Sequence, residues 1–318
     1  MKKRTVVALI VAAILIFTGG VLLVLGLSYA GGPKDMVSRS EITYGVSEPF
    51  DSIRVETTVC DVDFQKTDGE FRAVCPEFEN LDYTVIVEDN TLYLRQVDLR
   101  QWYDFIDIHL GKMEITVYLP ENQYNLLRID TDTGDIRVAE DFSFSTAEIF
   151  TDTGDVRFSA SVSERFNASA STGDLTICAG TPEMLQVSTS TGDVELENMA
   201  CGDCFVKTTT GDLFISSLTC QTLDCQSNTG DKFLQNVVAE DYIKAISTTG
   251  DVELLGCDAP MFAIETDTGD ITGVLLSPKE FFAQTDTGTE HIADHSGTPN
   301  GTCYVNSNTG DITISYQP

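Results

Sequence analysis

The sequence predicts an all-β protein: a parallel β-solenoid with coils of about 19 residues, a strand-rich N-terminal cap, and one transmembrane helix ahead of both. Three observations predict it. First, Thr-Gly-Asp or a close variant recurs with glycines at Gly134, Gly154, Gly173, Gly192, Gly211, Gly230, Gly250, Gly269, Gly288 and Gly310, spaced by 20, 19, 19, 19, 19, 20, 19, 19 and 22 residues. Second, an apolar residue stands two positions after most of these glycines, at Ile136, Val156, Leu175, Val194, Leu213, Val252, Ile271 and Ile312, with Lys232 as the polar exception. Third, short β-branched runs separated by polar turns fill the chain after the first 30 residues, with no amphipathic helical period.

The N-terminus reads as a signal-anchor. Lys2, Lys3 and Arg4 precede an uncharged, apolar stretch over residues 5–30. At ~1.5 Å per residue it crosses a ~30 Å hydrocarbon core, and it exceeds the roughly 7–15 residues of a secretory h-region. Ser28-Tyr29-Ala30 keeps cleavage open as the alternative. The basic residues put the N-terminus in the cytoplasm and residues 31–318 outside, as a single-pass protein of the cell membrane. The predicted divisions are 1–30 (cytoplasmic tip and span), 31–40 (tether), 41–127 (strand-rich part) and 128–318 (repeat domain).

Within 41–127, Ile53-Arg54-Val55, Tyr83 to Val87, Leu92-Tyr93-Leu94 and Ile115 to Tyr118 have strand character, with a hairpin turn expected at Glu88-Asp89-Asn90. Val55 to Phe64 aligns with Ala245 to Leu254, Cys60 replacing the glycine, so a degenerate first coil is expected there. The intervening segment from about Gly69 to Glu121 is then an excursion capping one end of the stack, or else a separate small β-domain.

One repeat unit reads strand, turn, strand, loop: Tyr242 to Ile246 leads into Ser247-Thr248-Thr249-Gly250-Asp251, and Val252 to Leu255 leads out. Glycine supplies a backbone conformation or close approach that other residues resist. Aspartate accepts backbone N–H bonds in a tight turn, and threonine favours extended backbone and hydroxyl ladders. No unit buries its apolar side alone, so neighbours supply the core. At ~4.8 Å per coil, ten coils make a rod of about 45–50 Å.

With formal net charge −31 and pI near 4.1, the chain is unsuited to nucleic acid or to direct docking on anionic headgroups. It should be soluble and attract cations or basic partners.

The Thr-Gly-Asp-apolar repeats, Val117-Tyr118-Leu119-Pro120 before the array, and the opening coil from Ile53 to Phe64 resemble a bacterial family of β-strand-repeat proteins described as candidate adhesins, a domain of unknown function. The resemblance covers about residues 41–318. It implies an envelope-facing β-solenoid, often membrane-anchored and in some relatives accompanying envelope-stress signalling. It implies no catalytic residue set. Thr289 in place of Asp and the 22-residue last spacing depart from the pattern.

Several residues are candidates for chemistry, each beside a plainer reading. The column Asp135, Asp155, Asp174, Asp193, Asp212, Asp231, Asp251, Asp270 and Asp311 would be turn chemistry. With Asp132, Asp152, Asp267 and Asp286 it could instead form a ladder of weak Ca²⁺ sites, although calcium wants six to eight oxygens. Among nine cysteines, Cys201, Cys204, Cys220 and Cys225 have C-x2-C-x15-C-x4-C spacing, near that of a zinc ribbon. Cys201 and Cys220 are one period apart, within reach of a disulfide between adjacent coils; unpaired packing thiols are the third reading. His291 and His295, with Glu290 and Asp294, mark either a metal or pH-sensitive site or an irregular loop, and His109 stands alone. Asp104 and Asp107 beside Trp102 and Tyr103 could form a sugar site, or simply a surface loop. No Gly-rich phosphate loop or nucleophile elbow occurs in the sequence.

The functional expectation is a non-enzymatic, cofactor-free surface protein that presents a repetitive face to an envelope protein or cell-wall polymer. Two alternatives stand beside it. One is a scaffold or stress-signalling accessory joined end to end through an exposed last coil, Ile312 to Tyr316; the other is a glycan-active β-helix enzyme.

Overall fold

The computed structural model describes residues 40–78, 81–98, 113–178, 180–294 and 298–317. The expected membrane span and Trp102, Tyr103, Asp104, Asp107, His109 and His295 lie outside the described residues. Every element among the described residues is a β-strand. The chain runs through β1 (Glu41–Gly45), β2 (Ser52–Thr57), β3 (Asp61–Thr67), β4 (Arg72–Pro76), β5 (Leu81–Glu88), β6 (Thr91–Asp98) and β7 (Glu114–Pro120) before the repeat begins. The repeat opens with β8 (Gln123–Thr133), β9 (Ile136–Val138), β10 (Ser143–Thr153), β11 (Val156–Phe158), β12 (Ser161–Thr172), β13 (Leu175–Ile177) and β14 (Met184–Thr191). Three long strands follow, β15 (Val194–Thr210), β16 (Leu213–Thr229) and β17 (Lys232–Thr249). The chain closes with β18 (Val252–Cys257), β19 (Met261–Thr268), β20 (Ile271–Leu275), β21 (Glu280–Thr287), β22 (Glu290–Ile292), β23 (Thr302–Thr309) and β24 (Ile312–Tyr316).

These strands form a parallel β-solenoid. Strands that precede a turn stack in parallel as β2, β8, β10, β12, β14, β15, β16, β17 and β19, forming a first wall. Strands that follow a turn stack as β3, β9, β11, β13, β15, β16, β17, β18 and β20, forming a second wall. Equivalent positions of successive coils therefore lie rung on rung. The inward row Ile136, Val156, Leu175, Val194, Leu213, Lys232, Val252, Ile271 and Ile312 is buried throughout, as the spacing predicts, even where a lysine replaces the aliphatic side chain. Toward the N-terminal end the interior is filled by rings, Tyr124 on Phe144 (5.8 Å), Phe144 on Phe158 (6.4 Å) and Phe158 on Phe166 (4.7 Å). The long strands turn a second corner where Asn198, Ser217 and Asn236 take φ of 51–54° and Gly256 follows at 67°.

The N-terminal segments end the stack. β2 and β3 pair in register with β8 and β9, Val55 opposite Ile129 and Val62 opposite Ile136, so they form a coil of the solenoid. β6 adds in parallel to β2 and β7 in parallel to β3. Beyond them the direction reverses: β5 is antiparallel to β6, β4 to β7, and β1 to β4.

Chain order fails at the other end. β23 lies between β19 and β21, and β24 lies between β20 and β22. The coil ending Ile312 to Tyr316 is therefore sandwiched, and β21 with β22 forms the open end, contrary to the sequence expectation. The 22-residue last spacing supplies the extra length for the chain to step back one coil. Lys279 fixes this return: its buried ammonium donates to Asp258 Oδ1 (2.6 Å), Ser277 Oγ (2.9 Å) and the Asn300 carbonyl (2.6 Å).

Candidate functional site

Each repeat glycine presses against the coil before it. A Cβ at Gly211 would fall well inside contact distance of the Gly192 carbonyl oxygen, and Gly211 also has φ +145°, a region L side chains avoid. At Cys60, which replaces the glycine, no such turn lies beneath among the described residues. Gln96 of the cap occupies that place instead, accepting the N–H groups of Thr58 (2.8 Å) and Val59 (3.2 Å) through Oε1 and reaching Cys60 Sγ with Nε2 (3.1 Å).

The aspartate column works the same way. Each carboxylate accepts the backbone N–H of the next aspartate: Asp61 from Asp135, Asp135 from Asp155, and so on to Asp270 from Asp311, at 2.7–3.0 Å. At the open end Thr289 donates its N–H and hydroxyl to Asp311 Oδ1 (2.7 and 2.9 Å). Among the described residues no further coil needs an acceptor there, which accounts for the loss of the carboxylate. Asp132, Asp152 and Asp267 stay exposed, Asp267 accepting from Asn308 Nδ2 (3.0 Å). Among the described residues no group of three or more His, Cys, Asp or Glu side chains is arranged to hold a metal.

A second row went unread in the sequence. Three positions before most turn glycines sits a buried hydroxyl, at Thr131, Thr151, Thr189, Thr208, Ser227, Ser247, Thr266 and Ser307. Several donate to the glycine carbonyl of the preceding coil: Thr208 to Gly192 (3.1 Å), Thr266 to Gly250 (3.0 Å) and Ser307 to Gly269 (3.1 Å). Ala170 interrupts the row, and Thr151 Oγ1 beside it is left without a partner. The signal was available, since Ser or Thr at this offset keeps the same period as the glycines.

The cysteines are brought together in part. Cys201 and Cys220 face one another on β15 and β16, with no disulfide between them in this structure. A hydrogen bond to Cys201, then burial, holds the Cys204 thiol well above its usual range. Burial pushes Cys220 and Cys225 up to about 12. Cys225 donates to the Lys244 carbonyl (3.4 Å). Lys232, buried in the same interior, donates to Ser227 Oγ, and burial lowers its ammonium to about 8. His291 sits on the open-end strand β22, and Glu290 accepts the Thr285 N–H (3.2 Å).

The second wall carries the surface with most chemical variety. Its outward ladder runs Asp63, Arg137, Arg157, Thr176, Glu195, Phe214, Phe233, Glu253, Thr272. Beside the aspartate column it forms a groove of about 450 Å³, lined by Arg137, Arg157, Thr176, Glu195 and Phe214 and by Asp135, Asp155, Asp174 and Asp193. Arg137 pairs with Asp135 (3.3 Å) and Glu114 (3.8 Å). Arg157, one rung on, makes no ion pair among the described residues and is exposed. Phe214 and Phe233 stack at 5.0 Å and 4°, with Phe214 exposed. The lining includes no serine, cysteine or histidine. What the groove offers is ionic contacts, hydrogen bonds and ring stacking.

The family described as Toastrack DUF4097 matches residues 50–315. No curated protein matches the sequence. Among solved structures, a candidate adhesin from Bacteroides fragilis is 18% identical, with 88% of this chain and 98% of that chain covered and a TM-score of 0.42. A candidate cell adhesion protein from Clostridium sporogenes is 11% identical, covering 88% and 100%, with a TM-score of 0.25. A candidate lipid-binding protein from Parabacteroides distasonis is 10% identical, covering 88% and 97%, with a TM-score of 0.37.

Proposed function

The chain belongs to the Toastrack DUF4097 family, and we propose that it is a non-enzymatic binding module of the cell envelope. Residues 5–30 anchor it, and residues 31–318 face outward. Its partner is an envelope protein or cell-wall polymer, held along the second-wall groove. The observation that carries this reading is the register. A parallel stack repeats its outward groups every ~4.8 Å, so Arg137, Arg157, Thr176, Glu195 and Phe214 form one continuous track with charged and aromatic ends. Contact along such a track gains by adding weak interactions over many rungs. Each carboxylate of the aspartate column has a structural task, accepting a turn N–H through Oδ1.

Capture from native envelope extract by the full chain in detergent tests the reading. The wild type should retain a defined envelope component that the double variant Arg157→Glu/Phe214→Ala fails to retain. Identical capture by both would refute the groove as the binding surface. Protease protection of residues 31–318 in intact cells would contradict the outward placement.

A second reading is favoured by the open end. Among the described residues β21 has no strand beyond it, with Phe281 and Ala283 only partly buried, so coil-to-coil assembly could occur there. A sedimentation coefficient that rises with concentration, and ceases to rise in Ala283→Lys, supports the scaffold; one constant value removes it.

A further inference from the structure

On the opposite wall, the first-wall ladder reads Asp224, Lys244, Ala263, Tyr304, Phe282 toward the open end. Phe282 and Tyr304 stack at 5.1 Å and 17°, and they are 52% and 50% exposed, among the most exposed large apolar side chains described. Phe282 covers one face of the Tyr304 ring. The other face looks toward Ala263, whose methyl group cannot cover it. Beyond Ala263 stands Lys244, two rungs from Tyr304, or about 9.6 Å along the stack. Its ammonium is drawn the other way, to Asp224 Oδ2 at 2.9 Å. The result is a slot of about 240 Å³, with Ala263 as floor, Tyr304 as one wall, and Ile246, Glu265 and Asn306 along its side.

We infer that this slot is a carbohydrate subsite in which one pyranose ring stacks on the open face of Tyr304. Two rungs of spacing, less the thickness of the Tyr304 ring, leave room for one flat six-membered ring. The rim selects among such rings. Glu265 accepts hydrogen bonds, Asn306 both donates and accepts, and a pyranose presents an apolar C–H face to the tyrosine while its hydroxyls reach the rim. A purely aromatic ligand would stack on Tyr304 but use neither rim group. Glu265 in the rim and the net charge of −31 disfavour anionic rings, and Lys244, which also lines the slot, is already paired with Asp224, so the ligand is a neutral sugar unit. The subsite lies on the other wall from the Arg157 groove and does not rest on it.

The insertion of β23 beside β19 makes Tyr304 the platform over Ala263; in chain order Phe282 would stand there.

The probes are cellotetraose, maltotetraose and tetra-N-acetylchitotetraose, titrated into the full chain in detergent by calorimetry and saturation-transfer NMR. At least one should bind saturably. Tyr304→Ala, which removes the platform, should weaken it by about tenfold or more. Ala263→Tyr, which fills the slot and leaves Tyr304 in place, should do the same, with both variants melting as wild type. No saturable binding by any of the three, or affinity unchanged in Ala263→Tyr, overturns the subsite. Arg157→Glu should leave sugar binding unchanged, so failure of the groove and failure of the slot are separable.

Discussion

A residue in this molecule is defined mainly by what the coil beneath it allows. Asp212 accepts the Asp231 N–H at 2.8 Å, and its neighbours in the column do the same in turn. Like charges ~5 Å apart repel by roughly 0.8 kcal/mol per pair in water, but one turn hydrogen bond to each carboxylate offsets a cost of that size. Asp212→Asn should keep the acceptor and relieve the repulsion, so thermal unfolding should shift little. Asp212→Ala should lose about 1–3 kcal/mol, because the Asp231 N–H is left unpaired. Equal melting of the two variants would show that the carboxylate is not a structural acceptor. The aspartates were legible as turn chemistry from their spacing alone. Their partner, the next backbone N–H, was not, because a sequence does not show which atoms lie across a rung. Lys232 was legible only as an exception to the apolar row; its burial follows from the register, which leaves it no route outward.

At the scale of the element, the coil is the unit and its glycine the point of contact. Gly211→Ala should already be damaging, since even a methyl group meets the Gly192 carbonyl and φ is +145°. A loss of at least about 2 kcal/mol is expected, with hydrogen-exchange protection falling in β15 and β16 together, because neighbouring coils share their stability. Cys60→Ala should be milder, since the cap fills the space beneath it. Unchanged melting of Gly211→Ala would contradict the stacked-turn geometry. Strands, turns and the degenerate first coil could be read from periodicity. The second corner at Asn198, Ser217 and Asn236 could have been, because those residues keep the same 19-residue interval. The insertion of β23 and β24 could not: every repeat has the same pattern, and a uniform pattern carries no information about which coil is whose neighbour. Only the 22-residue spacing and Thr289 marked the place.

The whole molecule is a stack with two different ends, one closed by antiparallel strands and one open, and with an interior rich in protonated thiols. Burial holds Cys75, Cys220, Cys225 and Cys303 up at about 12 and Cys257 at about 11, from an ordinary value of 9.0. The unfolded chain releases these protons near pH 9 while the folded chain keeps them, so stability should fall as pH rises from about 9 toward 11–12. Lys232 acts in the opposite sense, lowered from 10.5 to about 8. Its penalty is complete below pH 8 and relieved by about 10.5, where both states are neutral. Lys232→Met should therefore melt above wild type at pH 7, with the difference narrowing between pH 8 and 10.5. A difference independent of pH would mean that the lysine is not buried. Both binding surfaces depend on which coil neighbours which, and the C-terminal order is the part of that arrangement that departs from chain order. Paired cysteines test it directly. Glu265 faces Asn306 across one rung, and Asn306 faces Gln284 across the next. Adjacent rungs lie within the ~4.4–6.8 Å Cα separation of a disulfide, and a two-rung gap does not. Mild oxidation, followed by peptide mass spectrometry, should cross-link Glu265→Cys/Asn306→Cys and leave Glu265→Cys/Gln284→Cys open. A cross-link in the second pair and none in the first would place the coils in chain order and contradict the structure described.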